Sequence, residues 1–141
     1  MTMNKNIPIV ILCGGKGTRL KEETEYKPKP LVRIGEKPIL WHIIKLYAHF
    51  GFSRFILTLG YKGDMIKDYF LNHRFLGNDF TLHCSTNQID FHSDDTLDVS
   101  ITFVNTGSEA LTGERLQKIK KYIDTDYFMV TYGDGVADIN I

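Results

Sequence analysis

The chain has 141 residues, of which 43% are hydrophobic and 24% are charged, a composition typical of one globular domain. Lys and Arg together number 17, as do Asp and Glu, so the formal net charge is zero. No overall basic field would therefore attract nucleic acid or an anionic membrane. Cys13 and Cys84 form no CxxC motif, which argues against a disulfide framework or a thiolate metal site, and we expect both to be ordinary buried thiols.

The first predicted element is a central strand over residues 7–13, whose continuous apolar and β-branched sequence suits a strand covered on both faces. This run is too short to span a bilayer and no signal-peptide cleavage pattern follows it, so we expect a cytoplasmic location. Apolar residues at helical spacing between Pro38 and Gly51 predict the first helix. A second buried strand is predicted over 54–60, and Asp64 is expected to cap a short helix after it.

The second half of the chain predicts strands over 80–85, 99–105 and 127–132, the last ending in the sequence GDG. The polar segment 86–98 is long for a hairpin loop, and we expect it to carry an extra β-ribbon outside the sheet. Leu116, Ile119 and Ile123 place one face of a third helix on the core. Alternating strands and helices favour an α/β fold, with a mostly parallel sheet and helices on both faces.

A glycine-rich stretch, GGKGTRL, directly follows the first predicted strand, at the sheet edge where ligands of such folds bind. Glycines let a phosphate approach successive backbone amides, and Arg19 offers a fork of donors matched to phosphate oxygens. Lys29 lies in the proline-stiffened KPKP stretch and adds a second cation. The alternative interpretation is a plain tight turn beside a solvated basic surface.

Two better-known phosphate loops do not match this stretch. A Walker loop requires a lysine directly after its last glycine, whereas Lys16 precedes Gly17. A dinucleotide fingerprint requires a glycine where this chain has Leu20, and an acidic residue where the second strand ends in Leu59 and Gly60. The loop therefore belongs to neither class.

Four stretches taken together resemble the sugar-1-phosphate nucleotidylyltransferases: GGKGTRL, KPKPLVRIGEKPILWHIIKLY, GYKG and TYGDGVAD. The resemblance runs from Ile7 to Ile141, and TGSEALTGERL with YGDGVADI is most similar to the glucose-1-phosphate cytidylyltransferase branch. It implies a Rossmann-like nucleotidyltransferase fold that makes CDP-glucose and pyrophosphate from CTP and α-D-glucose 1-phosphate with Mg²⁺. It further implies a homo-oligomer, with segment 86–98 at a subunit contact, and a role in nucleotide-sugar biosynthesis for O-antigen or lipopolysaccharide.

The same resemblance implies roles for individual residues. Arg19 and Lys29 are the implied catalytic residues, which act through charge and positioning on the triphosphate, and Asp134 is the implied Mg²⁺ ligand. The signature loop would hold the triphosphate, and the segment after the strand predicted over 99–105, with backbone groups near Leu12, would contact the nucleobase. The implied nucleotide-binding residues are Leu12, Gly14, Gly15, Lys16, Gly17, Thr18, Arg19, Lys29, Thr106, Ala110, Gly113, Arg115 and Gly133.

The residue types agree with that chemistry. In-line attack of a sugar phosphate on the α-phosphate builds negative charge on oxygens, which cations and Mg²⁺ neutralise. The attacking phosphate is already ionised, so no side chain need serve as the nucleophile. Asp134 offers a hard oxygen ligand, and Mg²⁺ takes only one or two carboxylates beside phosphates and water. The alternative for GDG is a common turn.

The resemblance stops at Ile141, whereas the relatives continue and place most of their sugar-phosphate contacts and a second aspartate for Mg²⁺ in their later half. We therefore expect residues 1–141 to be the nucleotide-binding part of a nucleotidyltransferase domain, truncated at its C-terminal end. Two alternatives stay open: a non-catalytic nucleotide-binding module, and a nucleotidyltransferase for another sugar phosphate.

Overall fold

The computed structural model describes residues 5–14, 27–92 and 97–134. Single turns of 3₁₀ helix cover Lys29–Leu31 and Lys120–Tyr122. In chain order the remaining elements are β1 (Ile9–Leu12), β2 (Arg33–Ile34), β3 (Lys37–Pro38), α1 (Ile39–His49), β4 (Arg54–Leu59), α2 (Gly63–Gly77), β5 (Phe80–His83), β6 (Gln88–Phe91), β7 (Ser100–Asn105), α3 (Thr112–Ile119) and β8 (Met129–Tyr132).

The centre of the fold is a parallel sheet with the strand order β7-β4-β1-β8. The chain proceeds outward from β1 to β4 and β7, then returns to place β8 on the other side of β1. The order therefore reverses between β1 and β8, and ligands of open parallel sheets bind beyond the carboxyl ends of the strands at such a point. Ile9, Val10 and Ile11 have no exposed surface, which confirms the predicted central strand.

Helices cover both faces of the sheet, as the sequence predicts. On one face, α1 and α2 pack against alternate strand residues such as Ile11 and Leu57. On the other face, Ile119 of α3 packs against Val10 and Ile56. Burying a large aliphatic side chain stabilises a fold by about 1.5–3 kcal/mol, so these two layers hold the strand ends in place.

The second helix departs from its prediction in two respects. α2 runs for 15 residues and is not short. Asp64 does not cap it, because Lys62 occupies the N-cap in a left-handed conformation, with φ of 52°, and no side chain makes a capping bond. Asp64 lies instead in the first turn, where its charge favours the positive end of the helix dipole.

A β-ribbon lies outside the central sheet, as predicted, but only β6 lies within segment 86–98: its other strand, β5, falls in the strand that was predicted separately over 80–85. β5 pairs with β6 in antiparallel register, Phe80 opposite Phe91 and Leu82 opposite Ile89, so these four side chains share one face. Cys84 begins the connecting turn and is exposed, which corrects the prediction of a buried thiol at this position; Cys13 is buried as predicted. Among the described residues, no helix is both long and apolar enough to cross a bilayer.

Candidate functional site

A cavity of about 250 Å³ opens at the carboxyl edge of the sheet, beside the point where the strand order reverses. The end of β1, the turn at Lys29–Leu31, the start of α3 and the end of β8 surround it. Six residues predicted from the sequence line it: Leu12, Gly14, Lys29, Ala110, Arg115 and Asp134. Five that sequence reasoning did not place in a site line it as well: Cys13, Pro30, Leu111, Thr112 and Tyr132.

One side of the cavity is built on a buried guanidinium. Arg115 is only 5% exposed, and its Nη1 donates to Thr106 Oγ1 at 2.6 Å while its Nη2 donates to the carbonyl of Gly14 at 3.2 Å. Thr106 Oγ1 in turn donates to the carbonyl of Leu59 at 2.9 Å. Burial lowers the pKa of Arg115, but a guanidinium stays charged at neutral pH. We call Arg115, Thr106 and Gly14 the arginine side of the cavity.

Two glycines make room for this guanidinium. A Cβ at position 14 would collide with the Arg115 guanidinium itself. A Cβ at Gly60 would lie 2.7 Å from the carbonyl oxygen of Gly107 and 3.0 Å from Arg115 Nη1, closer than real Cβ atoms pack. Nothing lies within 4 Å of the corresponding point at Gly113, although the family resemblance implies that Gly113, like Gly14, binds the nucleotide. Glycine is therefore required at position 60 by a backbone contact, whereas a side chain at position 14 would push the Arg115 guanidinium away from its bonds.

The opposite side carries an ion pair. Lys29 Nζ lies 3.3 Å from Asp134 Oδ2, with the lysine side chain 17% exposed and the aspartate side chain 46% exposed. Lys29 begins a 3₁₀ turn anchored by the buried Leu31, and the Gly133 amide donates to the Leu12 carbonyl at 3.0 Å, which holds Asp134 at the end of β1. We call Lys29 and Asp134 the ion-pair side of the cavity.

Cys13 lies between the two sides, in the cavity wall. Burial is the main reason that the pKa of its thiol is raised well above the ordinary range, with the negative charge of Asp134 adding to the shift and Arg115 opposing it. The thiol is therefore protonated at neutral pH and acts as a small apolar group.

The structure brings together most, though not all, of the predicted residues. Gly15, Lys16, Gly17, Thr18 and Arg19 lie outside the described residues. Thr106 is fully buried behind Arg115, and Gly113 follows the cavity-lining Thr112 without lining the cavity itself. Within the described part of the chain, no group of three or more His, Cys, Asp or Glu side chains could hold a metal, so Asp134 would need oxygen ligands from a bound molecule.

Two residues that support the site escaped the sequence analysis. Gly60 stands at the end of a strand that was predicted to be buried. A glycine in such a place indicates that another part of the backbone approaches closely. Lys118 lies one helical turn after Arg115, and its Nζ donates to the carbonyl of Thr106 at 2.7 Å. Gly60 opens the GYKG stretch but is given no role by the resemblance, and Lys118 lies outside all the stretches that carry it, so neither residue was predicted to support the site.

A family model described as "Nucleotidyl transferase" matches residues 9–140. The chain belongs to the nucleotidyl transferase family. Its sequence is 50% identical over 132 residues to a probable glucose-1-phosphate cytidylyltransferase of Bacillus subtilis, covering 94% of this chain and 52% of that protein. It is 49% identical over 133 residues to the glucose-1-phosphate cytidylyltransferase of Salmonella typhimurium, with the same two coverages.

The fold likewise resembles solved members of the nucleotidyl transferase family. The crystal structure of HddC from Yersinia pseudotuberculosis, complexed with GMP-PN, superposes with a TM-score of 0.68 at 30% identity, covering 91% of this chain and 48% of that one. The α/β fold with a parallel central sheet is thus the one that these relatives share. The chain spans about half the length of the relatives that it matches.

Proposed function

We propose that the chain provides the nucleotide site of an enzyme that makes CDP-glucose and pyrophosphate from CTP and α-D-glucose 1-phosphate. The observation that carries this proposal is the cavity itself, which places a buried guanidinium opposite a lysine–aspartate pair at the switch point of the sheet. Such a cavity can hold a neutral aromatic base on one side and charged phosphates on the other. Identity of about half to two glucose-1-phosphate cytidylyltransferases supports the choice of substrates.

The arginine side fits the base of CTP. The Thr106 hydroxyl donates its only proton to the Leu59 carbonyl and accepts a hydrogen bond from Arg115, so it has no donor left for a ligand. Arg115 carries five N–H donors and no acceptor, and two donors are used within the protein. The remaining donors match a base edge that presents acceptors. Cytosine presents an acceptor at its ring N3, where uracil and thymine carry a hydrogen, so Arg115 would favour cytosine over these two.

The ion-pair side fits the phosphates and the metal. Asp134 is half-exposed in the cavity, and the Lys29 ammonium already occupies a cation position beside its carboxylate. One carboxylate with phosphate oxygens and water is a normal ligand set for Mg²⁺, so the residues fit this ion. Bound there, Mg²⁺ would neutralise charge that develops on the phosphate oxygens.

The protein's own contribution to the transfer would be positioning and charge. Lys29 would leave Asp134 and face the reacting phosphate, where its ammonium stabilises the transition state of in-line displacement. Arg19, in the glycine loop, is proposed to hold the triphosphate with the loop amides. No described side chain needs to act as nucleophile, because the sugar phosphate supplies an ionised oxygen.

The test is release of pyrophosphate by the chain with CTP, Mg²⁺ and α-D-glucose 1-phosphate. Other sugar 1-phosphates and the other nucleoside triphosphates serve as matched controls. We expect CTP with glucose 1-phosphate to give the highest rate. A higher rate with another sugar phosphate would favour the alternative of a different sugar substrate, and CTP binding without release of pyrophosphate would favour a non-catalytic nucleotide-binding module.

We also propose that the protein forms a homo-oligomer through the β5–β6 ribbon. The ribbon presents Phe80, Leu82, Ile89 and Phe91 on one face, with Leu82 46% exposed, and exposed apolar patches of this kind favour a protein partner. Light scattering of the wild type and of a Leu82→Glu variant tests this: we expect a smaller particle for the variant. An equal mass for both proteins would contradict it. A cytoplasmic location and a place in O-antigen or lipopolysaccharide synthesis stay predictions.

A further inference from the structure

The carbonyl of Thr106 lies where β7 leaves the sheet. The Thr106 amide still bonds to the Leu59 carbonyl at 2.8 Å, as the last rung of the pairing with β4. Gly107 then turns the backbone away with φ of +96°, so the Thr106 carbonyl has no strand partner ahead of it. A carbonyl at such a strand end requires another donor, because leaving it unpaired away from water is costly.

Lys118 supplies that donor from α3. Its Nζ lies 2.7 Å from the Thr106 carbonyl oxygen, and 3.8 Å from the point where a Cβ of Gly107 would stand. Arg115 and Lys118 are three positions apart on the helix and therefore share a face, so both cations reach the same threonine from one helix. Arg115 binds its hydroxyl and Lys118 its carbonyl.

With these bonds, every polar group of Thr106 is engaged: the amide and hydroxyl protons with Leu59, the hydroxyl oxygen with Arg115 and the carbonyl with Lys118. Thr106 is thus fixed in both position and hydroxyl direction. Its hydroxyl oxygen receives the Arg115 guanidinium, so Lys118 and Arg115 are linked through this one residue.

We propose that Lys118 is a positioning residue for nucleotide selection: it holds the Thr106 carbonyl so that Arg115 presents its free donors to the base. This inference rests on the proposed function of the cavity as a CTP site. Lys118 itself need not touch the nucleotide, because it does not line the cavity. Its influence would appear in the preference for one base over another, and less in the stability of the fold.

The experiment compares binding of CTP and UTP, each with Mg²⁺, by calorimetry on the wild type and three variants. Lys118→Met removes the donor at nearly constant length, and we expect it to weaken CTP binding about tenfold while UTP binding changes less. Lys118→Arg keeps a charged donor and should restore the CTP preference. Lys120→Met is the matched control, because Lys120 is an exposed lysine just past α3 with no described bond to Thr106, and it should bind as the wild type does.

Two results would be decisive. A wild type that binds CTP, together with a Lys118→Met variant of unchanged CTP-to-UTP ratio, overturns the positioning role alone. Equal losses for the two nucleotides count as this result, because general loosening of the fold affects both alike. A wild type that binds no nucleotide overturns the proposed function and, with it, this role of Lys118. Should Lys118→Met fail to fold, Lys118→Gln keeps a neutral donor and should show an intermediate ratio.

Discussion

The two sides of the cavity are built in opposite ways. The arginine side is buried, and its guanidinium is bonded to Gly14 and Thr106 before any ligand arrives. The ion-pair side is partly exposed, and its lysine and aspartate are bonded to each other across 3.3 Å. Exposed ion pairs contribute at most about 1 kcal/mol, and this pair, whose aspartate is 46% exposed, is accessible to a ligand that would separate it. In the proposed nucleotide site, base recognition would therefore be preformed, whereas the charges that face the phosphates would rearrange on binding.

The largest effect should come from filling the space that the arginine side occupies. In Gly14→Ala the new methyl group would collide with the Arg115 guanidinium, and we expect a loss of about 2–3 kcal/mol in the free energy of unfolding. Urea denaturation measures it. The control is Gly113→Ala, which meets no atom within 4 Å in a helix and should stabilise the fold by about 0.5–1 kcal/mol. Equal unfolding free energies for the two variants would contradict the close packing at Gly14.

The next effect concerns ligand binding more than stability. Arg115→Met removes the donors to Gly14 and Thr106, and we expect CTP affinity to fall about 10- to 100-fold. The free energy of unfolding should change less, because the variant also removes a costly buried charge. Calorimetry with CTP and Mg²⁺ tests this. Arg54→Met is the control, since Arg54 pairs with Asp124 at 2.8 Å, away from the cavity lining. Retained affinity in Arg115→Met would remove the arginine side from the nucleotide site.

The sequence predicted correctly those elements whose structure follows from one residue type or from the spacing of apolar residues. The short, β-branched apolar run around Val10 favours a strand covered on both faces, and the helical spacing before Gly51 favours a helix. The parallel order of the strands followed from their alternation with helices. Asp64 shows the limit of such reasoning, because the residue before the helix, Lys62, took a left-handed conformation that no sequence rule favours for lysine.

The candidate site was predictable to the extent that residues lie at the ends of strands. Gly14 and Asp134 both follow predicted strands, and parallel strands bring their carboxyl ends to one edge. The bond from Arg115 to Gly14 was not predictable, because it joins positions 101 residues apart through the angle of a helix against the sheet. The only sign of this bond in the sequence is the glycine at position 14. A glycine indicates that another group approaches the backbone closely, but it does not identify that group.

A subtler change tests the ion-pair side. Asp134→Asn removes one charge from an exposed pair, so the free energy of unfolding should change by less than about 1 kcal/mol. We expect a higher Mg²⁺ requirement for CTP binding, and metal-free CTP bound as well as or better than by the wild type, because repulsion between the carboxylate and the triphosphate is gone. Paired titrations with Mg²⁺ and with chelator measure both. An unchanged Mg²⁺ dependence would mean that GDG is only a turn.

The smallest effect belongs to Cys13, between the two sides. Its pKa is raised in the folded state, so the folded protein holds this proton while the unfolded chain releases it near pH 8.5. The resulting stability is complete below that pH and is lost as the pH rises, by less than about 1 kcal/mol between pH 8 and pH 9. Cys13→Ala should flatten this slope in urea denaturation, and Cys84→Ala, in the exposed turn, should not. Equal slopes in all three proteins would contradict the burial of the Cys13 thiol.

The contact between Gly14 and Arg115 also has a consequence for protein synthesis. A ribosome makes β1 first, but the helix that bonds to its end follows 101 residues later, and β8 follows that helix. Until then, β1 is an apolar strand without β8 beside it and without α3 over one of its faces. The cavity has not yet formed. Contacts of such long range form late because the intervening chain must first be ordered. A nascent chain that ends before α3 therefore exposes an aggregation-prone strand and lacks the cavity in which the proposed nucleotide would stabilise the fold.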